Sequence, residues 1–168
     1  GGDDTIVGGA GVDNLVGGNG NNKFVYLSSA ADATGTGETI TGGSGTDTLI
    51  VAGGTTAVDC SDDTLSALNT LELTKNSAGT GDGNSQSLTM TDAQIDGFTI
   101  INSAAGDNIT LGDVMTSDIL DNTVINTDLK LILKDVASNA LTLVDATMDH
   151  DADKLTGDGS NLTGSHAL

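Results

Sequence analysis

Two adjoining stretches decide the reading: Gly8-Gly9-Ala10-Gly11-Val12-Asp13-Asn14-Leu15-Val16 and, directly after it, Gly17-Gly18-Asn19-Gly20-Asn21-Asn22-Lys23-Phe24-Val25. A third copy stands at Gly42-Gly43-Ser44-Gly45-Thr46-Asp47-Thr48-Leu49-Ile50, and Gly1-Gly2-Asp3-Asp4-Thr5-Ile6-Val7 fits the last seven positions of a fourth. The common form is G-G-x-G-x-D-x-U-x, with U a large apolar residue. Glycine at the first, second and fourth positions allows φ > 0, a tight turn and exposed carbonyl oxygens. The carboxylate at the sixth position then sits beside those carbonyls. The apolar residue two places later begins a short strand and points inward. Each unit is therefore one turn plus one strand, and two units make one coil of a parallel β-roll, with turns two repeats apart stacked on the same side. A flexible glycine-rich linker would have no reason to keep Ile6, Leu15, Phe24 and Leu49 in register.

Outward from these copies the pattern loosens. Residues 26–41 form a Ser/Ala/Thr/Gly-rich excursion containing Gly35-Thr36-Gly37, which lengthens a loop before the register resumes at Gly42. Beyond residue 52, short Thr-rich apolar runs replace the nine-residue units: Leu71-Glu72-Leu73, Leu88-Thr89-Met90, Thr99-Ile100-Ile101, Ile109-Thr110-Leu111, residues 129–134 and Leu141-Thr142-Leu143-Val144. Bounded by Gly, Asn, Asp or Ser, they read as strands. The predicted fold is all-β: a parallel β-roll over residues 1–52 continuing over 53–168 into a β-solenoid or β-sandwich. A hairpin of 129–134 with 140–145, turning near Ser138-Asn139, would favour the sandwich. Helix is the least expected element, with room for a turn or two at 62–68 and 91–95.

The composition agrees with a narrow layered core. Only 36% of the 168 residues are apolar and 2% aromatic, so the interior must be assembled from Leu, Ile and Val. The formal charge is −19, and Glu38 and Glu72 are the only glutamates. A bias this strong toward Asp points to turns and ligand positions rather than to a generic solvated surface. Arg is absent, which argues against nucleic acid as a partner. Hard divalent cations are the natural counter-charge. Cys60 stands alone, so no disulfide can form within the chain, and no run approaches the length of a membrane span. The chain opens inside a repeat at Gly1-Gly2-Asp3 and reads as a piece of a larger protein whose targeting elements lie elsewhere.

The nonapeptide copies resemble the RTX, or haemolysin-type calcium-binding, repeat family. That resemblance implies Ca²⁺ held between stacked turns, with side-chain oxygens from Asp4, Asp13 and Asp47. Carbonyls of Gly2, Gly9, Gly11, Gly18, Gly20, Gly43 and Gly45 would complete the ligand set. Asn22 departs from the pattern and offers a neutral carbonyl oxygen, implying a weaker or differently occupied site. The stretch from Val58 to Leu73 looks, more loosely, like segments that follow such repeats in bacterial surface-layer and giant adhesin proteins. Together these resemblances imply an extracellular or cell-surface structural or adhesive segment, exported unfolded by type I secretion. Its expected partners are calcium ions and further copies of itself in a filament or lattice, with neither nucleic acid nor membrane insertion. The rival reading is an accessory calcium-binding domain of a secreted protease, lipase or toxin.

No catalytic constellation emerges. Gly42-Gly43-Ser44-Gly45-Thr46 lacks the last glycine of a nucleophile elbow, and only His150 and His166 are present as bases. Gly79-Thr80-Gly81-Asp82-Gly83 lacks the lysine of a phosphate loop. Asp149, Asp151 and Asp153 alternate like the start of an EF-hand loop, but Lys154 and Ser160 occupy its Gly and Glu positions. They remain candidates for a separate calcium site. Cys60 alternates with Val58 and is expected to face the core.

Overall fold

The computed structural model describes residues 1–27, 37–52, 57–73, 85–104, 106–113, 124–126, 129–132, 147–148 and 155–158. Its strands are β1 (Thr5–Val7), β2 (Asn14–Asn19), β3 (Lys23–Leu27), β4 (Thr39–Ser44), β5 (Thr48–Ala52), β6 (Val58–Asp59), β7 (Thr64–Ser66) and β8 (Thr70–Glu72). They continue as β9 (Ser87–Met90), β10 (Ile100–Asn102), β11 (Asn108–Leu111), β12 (Val124–Asn126), β13 (Leu129–Ile132), β14 (Thr147–Met148) and β15 (Leu155–Asp158). Among the described residues one helix, α1 (Asp92–Ile95), follows β9.

The chain is a parallel β-solenoid. Its long wall is a seven-stranded sheet in the order β1-β3-β5-β8-β10-β12-β14. The opposite wall is a three-stranded sheet, β2-β4-β7, and then a five-stranded one, β6-β9-β11-β13-β15. The long sheet passes through residue 52 without a break; what changes there is the wall facing it. The coil holding β6 and β7 touches both short sheets, since β6 pairs with β9 and β7 with β4.

The register stacks like on like, because period-two strands lock a core column only if each coil returns in phase. Ile6, Phe24, Leu49, Leu71 and Ile101 lie in one column of the long sheet. Leu15, Ile40 and Leu65 face it from the first short sheet, and Val58, Leu88, Ile109 and Leu131 from the second. Phe24, Leu49, Leu71, Leu88, Ile101 and Ile109 are wholly buried. Each such side chain contributes roughly 1.5–3 kcal/mol, so the columns carry the fold without a large aromatic cluster.

Helix α1 stands in its coil where β7 stands in the coil before. Thr91 and Gln94 form a capping box, Thr91 Oγ1 accepting the Gln94 N–H and Gln94 Oε1 accepting the Thr91 N–H at 2.7 Å. The Gln94 Nε2 donates to the carbonyls of Cys60 (2.6 Å) and Asp63 (2.9 Å), closing the turn before β7. Ile95 and Phe98 are buried beneath it.

Three expectations are corrected. Residues 129–132 form no hairpin, because parallel β11 and β15 take both edges of β13; the sandwich alternative falls with it. Residues 62–68 give a turn and strand β7 rather than helical turns, whereas 91–95 does form its helix. The excursion is shorter than it reads, since Thr39–Ser44 is already strand β4. Residues 79–83, 140–145 and 149–153 lie outside the described residues.

Candidate metal centre

The glycines act in two ways. Those at the second and fourth positions take positive φ: Gly9 (92°) and Gly11 (114°), Gly18 (86°) and Gly20 (116°), Gly43 (118°) and Gly45 (126°), with Gly2 at 121°. The first-position glycines do not, contrary to the expectation above. They are needed for closeness to the sixth-position side chain and to the neighbouring backbone: a Cβ would stand 2.7 Å from Asp13 Oδ2 at Gly8, 2.6 Å from Asn22 Nδ2 and 2.7 Å from the Gly42 carbonyl at Gly17, and 2.7 Å from Asp47 Oδ2 at Gly42, where it would also collide with the Ala67 carbonyl.

These turns build two corners. On the first, residues 1–4, 17–22 and 42–47 stack so closely that a Cβ on Gly20, Gly43 or Gly45 would collide with the carbonyl of Gly2, Gly18 or Gly20. The stack is stitched by backbone bonds from Gly2 N to Asn19 O (2.9 Å) and from Gly20 N to Ser44 O (3.0 Å). The second corner holds the Gly8–Asp13 turn, with Gly9 and Gly11. So the structure gathers Gly2, Gly18, Gly20, Gly43 and Gly45 with Asp4, Asn22 and Asp47, and separates them from Asp13.

At both corners the side chain preceding each strand reaches along the roll axis to the backbone N–H of its neighbour. On the first corner Asp4 N donates to Asn22 Oδ1 (3.2 Å), Asn22 N to Asp47 Oδ1 (2.8 Å) and Asp47 N to Asn69 Oδ1 (2.9 Å). Acid and amide therefore alternate. Asn22, fully buried, also donates its Nδ2 to Asp47 Oδ1 (2.9 Å) and to Gly20 O (3.1 Å). Its amide supplies donors where a carboxylate would need a cation. Asp47 is fully buried, and its Oδ2 has no hydrogen-bond partner.

The second corner has no such alternation. Asp13 N donates to Glu38 Oε2 (2.6 Å) and Glu38 N to Asp63 Oδ1 (2.9 Å), each step spanning 25 residues. All three rungs are acids. Glu38 and Asp63 are 5% and 8% exposed, and Asp13 Oδ2, Glu38 Oε1 and Asp63 Oδ2 are all buried without a hydrogen-bond partner. Burial pushes Asp63 up to about 6, against the pull of the Glu38 N–H and the Cys60 thiol; the nearby Asp62 and Glu38 charges add to the rise. Burial first, then the Asp63 carboxylate, holds the Cys60 thiol well above its ordinary range, so it stays a protonated, wholly buried core residue.

The chain matches no protein-family model, no curated protein and no solved structure.

The donors on offer are carboxylate and carbonyl oxygens, the set that suits a hard cation of the calcium kind. Among the described residues no three His, Cys, Asp or Glu side chains converge to hold a metal by themselves. A bound ion would draw on one or two carboxylates, with backbone carbonyls and water for the rest.

Sequence reasoning missed Glu38, Asp63 and Asn69. The signal lay in the tail of the motif rather than its glycines. Glu38-Thr39-Ile40-Thr41-Gly42-Gly43 repeats the form of Asp13-Asn14-Leu15-Val16-Gly17-Gly18, and Asp63-Thr64-Leu65-Ser66 is the same tail without the glycines.

Proposed function

We propose that this chain is a calcium-stabilised structural or adhesive segment of a bacterial secreted protein, of the RTX repeat kind, working outside the cell in a surface layer, fibre or adhesin. One observation carries the reading: the fully buried Asp47, with one oxygen accepting from Asn22 of the preceding turn and the other unpartnered. An unpartnered buried carboxylate oxygen is costly, and a divalent cation removes that cost. With a net charge of −19 and few large apolar groups, the chain stays unfolded where calcium is scarce. Millimolar calcium then binds only the folded coil and stabilises it by mass action. Extracellular calcium modules bind at roughly 10⁻⁴–10⁻³ M, which would confine folding to the outside.

The mechanical part of the proposal draws on how the coils stack. They join by parallel strand pairing along both walls, a contact that further copies can use. Filament or lattice growth is the assembly the proposal expects, and no catalytic step is assigned. No helix among the described residues is long and apolar enough to cross a membrane, and the lysines are too few for phosphate binding.

The test is a calcium titration followed by far-UV circular dichroism, with magnesium as control and Asp13→Ala and Asp47→Ala alongside. The proposal expects a calcium-specific gain of β signal in the millimolar range, weakened by both substitutions. A chain fully folded in chelator and indifferent to both metals would sink it. Sedimentation across the same range tests assembly, for which a persistent monomer at high concentration is the contrary result.

A further inference from the structure

The all-acid corner makes a demand that the nonapeptide copies do not reveal. Three acids stand on successive rungs, each with one oxygen accepting a neighbour's N–H or left at the end of the ladder, and each with a buried oxygen facing no donor. No amide interrupts them, unlike Asn22 and Asn69 on the first corner. Glu38 and Asp63 belong to no copy of the glycine nonapeptide. They are nonetheless the more completely buried pair in this ladder, since Asp13 is only partly covered.

We propose that Glu38, with Asp13 and Asp63 on the rungs beside it, holds hard divalent cations in the two gaps of this corner. The inference rests on the calcium reading above but goes beyond it, because it moves the strongest cation demand away from the glycine-rich stack. Two dications in two gaps would outweigh three carboxylates, and an ion between rungs leaves the existing N–H bonds in place. Only the unpartnered oxygens need to turn to it: Asp13 Oδ2, Glu38 Oε1 and Asp63 Oδ2. The weak thiol of Cys60 alongside is no substitute for a dication.

The structure supplies its own reporter. Tyr26 is the sole tyrosine in a chain without tryptophan, and it lines one pocket with Asp13 and Glu38. It lies four residues along β3 from Asn22, roughly 13 Å from the first corner at the strand rise. Terbium excited through tyrosine therefore distinguishes the corners, because sensitisation falls steeply with distance.

The experiment uses the whole chain, terbium as probe and calcium as competitor, with calorimetry for stoichiometry. The proteins are the parent, Glu38→Gln, Glu38→Gln with Asp63→Asn, and Asp47→Asn. Amides are chosen because Asn22 and Asn69 already fill the equivalent slot, keeping the N–H acceptor. The expected result is tyrosine-sensitised emission from the parent, displaced by calcium. It should fall at least tenfold in the double variant, partly in Glu38→Gln, and persist in Asp47→Asn. Terbium bound by the parent without sensitised emission would overturn the inference, with no variant needed. So would full emission and unchanged stoichiometry in the double variant; either outcome leaves the calcium reading standing. A parent that binds neither ion would remove both.

Discussion

Asn22→Asp restores the motif's consensus acid, and the structure says it should destabilise the roll when calcium is low. Asn22 donates its amide to Asp47 Oδ1 at 2.9 Å and to Gly20 O at 3.1 Å, in a position with no solvent exposure. An aspartate loses both donors and turns a carboxylate oxygen toward another carboxylate and a carbonyl. A hydrogen bond to a charged group is worth about 1.5–3 kcal/mol. Two unit charges about 4 Å apart repel by about 4 kcal/mol at an effective dielectric constant of 20. Relaxation and partial protonation absorb some of this, and about 3–5 kcal/mol is the usual cost of an uncompensated buried charge.

The assay is urea unfolding by circular dichroism at a series of calcium concentrations that support folding. If the new carboxylate gives the folded chain one more ion, the gap between variant and parent narrows by about 1.4 kcal/mol for each tenfold rise in calcium. Two parallel lines would refute the idea that the Asn22 amide stands in for a cation, leaving it a purely structural residue. Two coincident lines would refute the energetic account altogether.

Other outcomes follow from single contacts. Gly43→Ala sets a Cβ against the Gly18 carbonyl at φ 118°, and should cost at least about 3 kcal/mol by urea midpoint. Gly9→Ala, at φ 92° with nothing within 4 Å, should cost only about 1–2 kcal/mol. Gln94→Ala removes the donor shared by the Cys60 and Asp63 carbonyls and should destabilise by about 1–3 kcal/mol in the same assay. The Cys60 thiol should react with iodoacetamide at pH 8 at least a hundredfold more slowly in the folded chain than in urea. With no cation beside it, burial raises Asp63 from 3.8 to about 6, so its stabilising contribution is full below pH 4 and lost as pH climbs through 6. At calcium too low to fill the gaps beside Asp63, Asp63→Asn should remove this part of the pH dependence of the urea midpoint; with a cation bound there the parent's dependence should reverse, because a ligated carboxylate is held ionised.

The coil was legible because its physics is local. Glycine at a close approach, an apolar residue two places after the acid and a strand of a few residues leave a periodic trace that needs no knowledge of distant partners. Beyond residue 52 strands β8, β9, β10, β11 and β13 were legible as short Thr-rich runs, whereas β7, β12, β14 and β15 were not; nor was the parallel pairing, since only the return of each coil in phase decides it. Glu38 escaped because the repeats were read from their glycines. A glycine marks how tightly a turn packs on its neighbour, whereas the acid before each strand marks where a coil begins, and the second requirement outlasts the first. A turn of helix at 91–95 was within expectation, but nothing local says that Gln94 reaches across to the carbonyls of Cys60 and Asp63.

That division between turn and rung bears on how folding could be made conditional on calcium. On the glycine-rich corner the ladder runs acid, amide, acid, amide, so half of its counter-charge problem is met by neutral side chains. On the other corner three acids stack unrelieved. Both corners terminate strands of the same coils, so neither can open without unpairing the long sheet beside it. A cation bound at the all-acid corner therefore stabilises the glycine-rich corner as well, by the linkage of one cooperative unit. The chain would then respond to calcium more steeply than either corner could alone. Amide substitutions at Glu38 and Asp63 should accordingly lower the calcium needed for folding and flatten the response together. If they lowered the requirement but left the steepness untouched, the two corners would be folding independently.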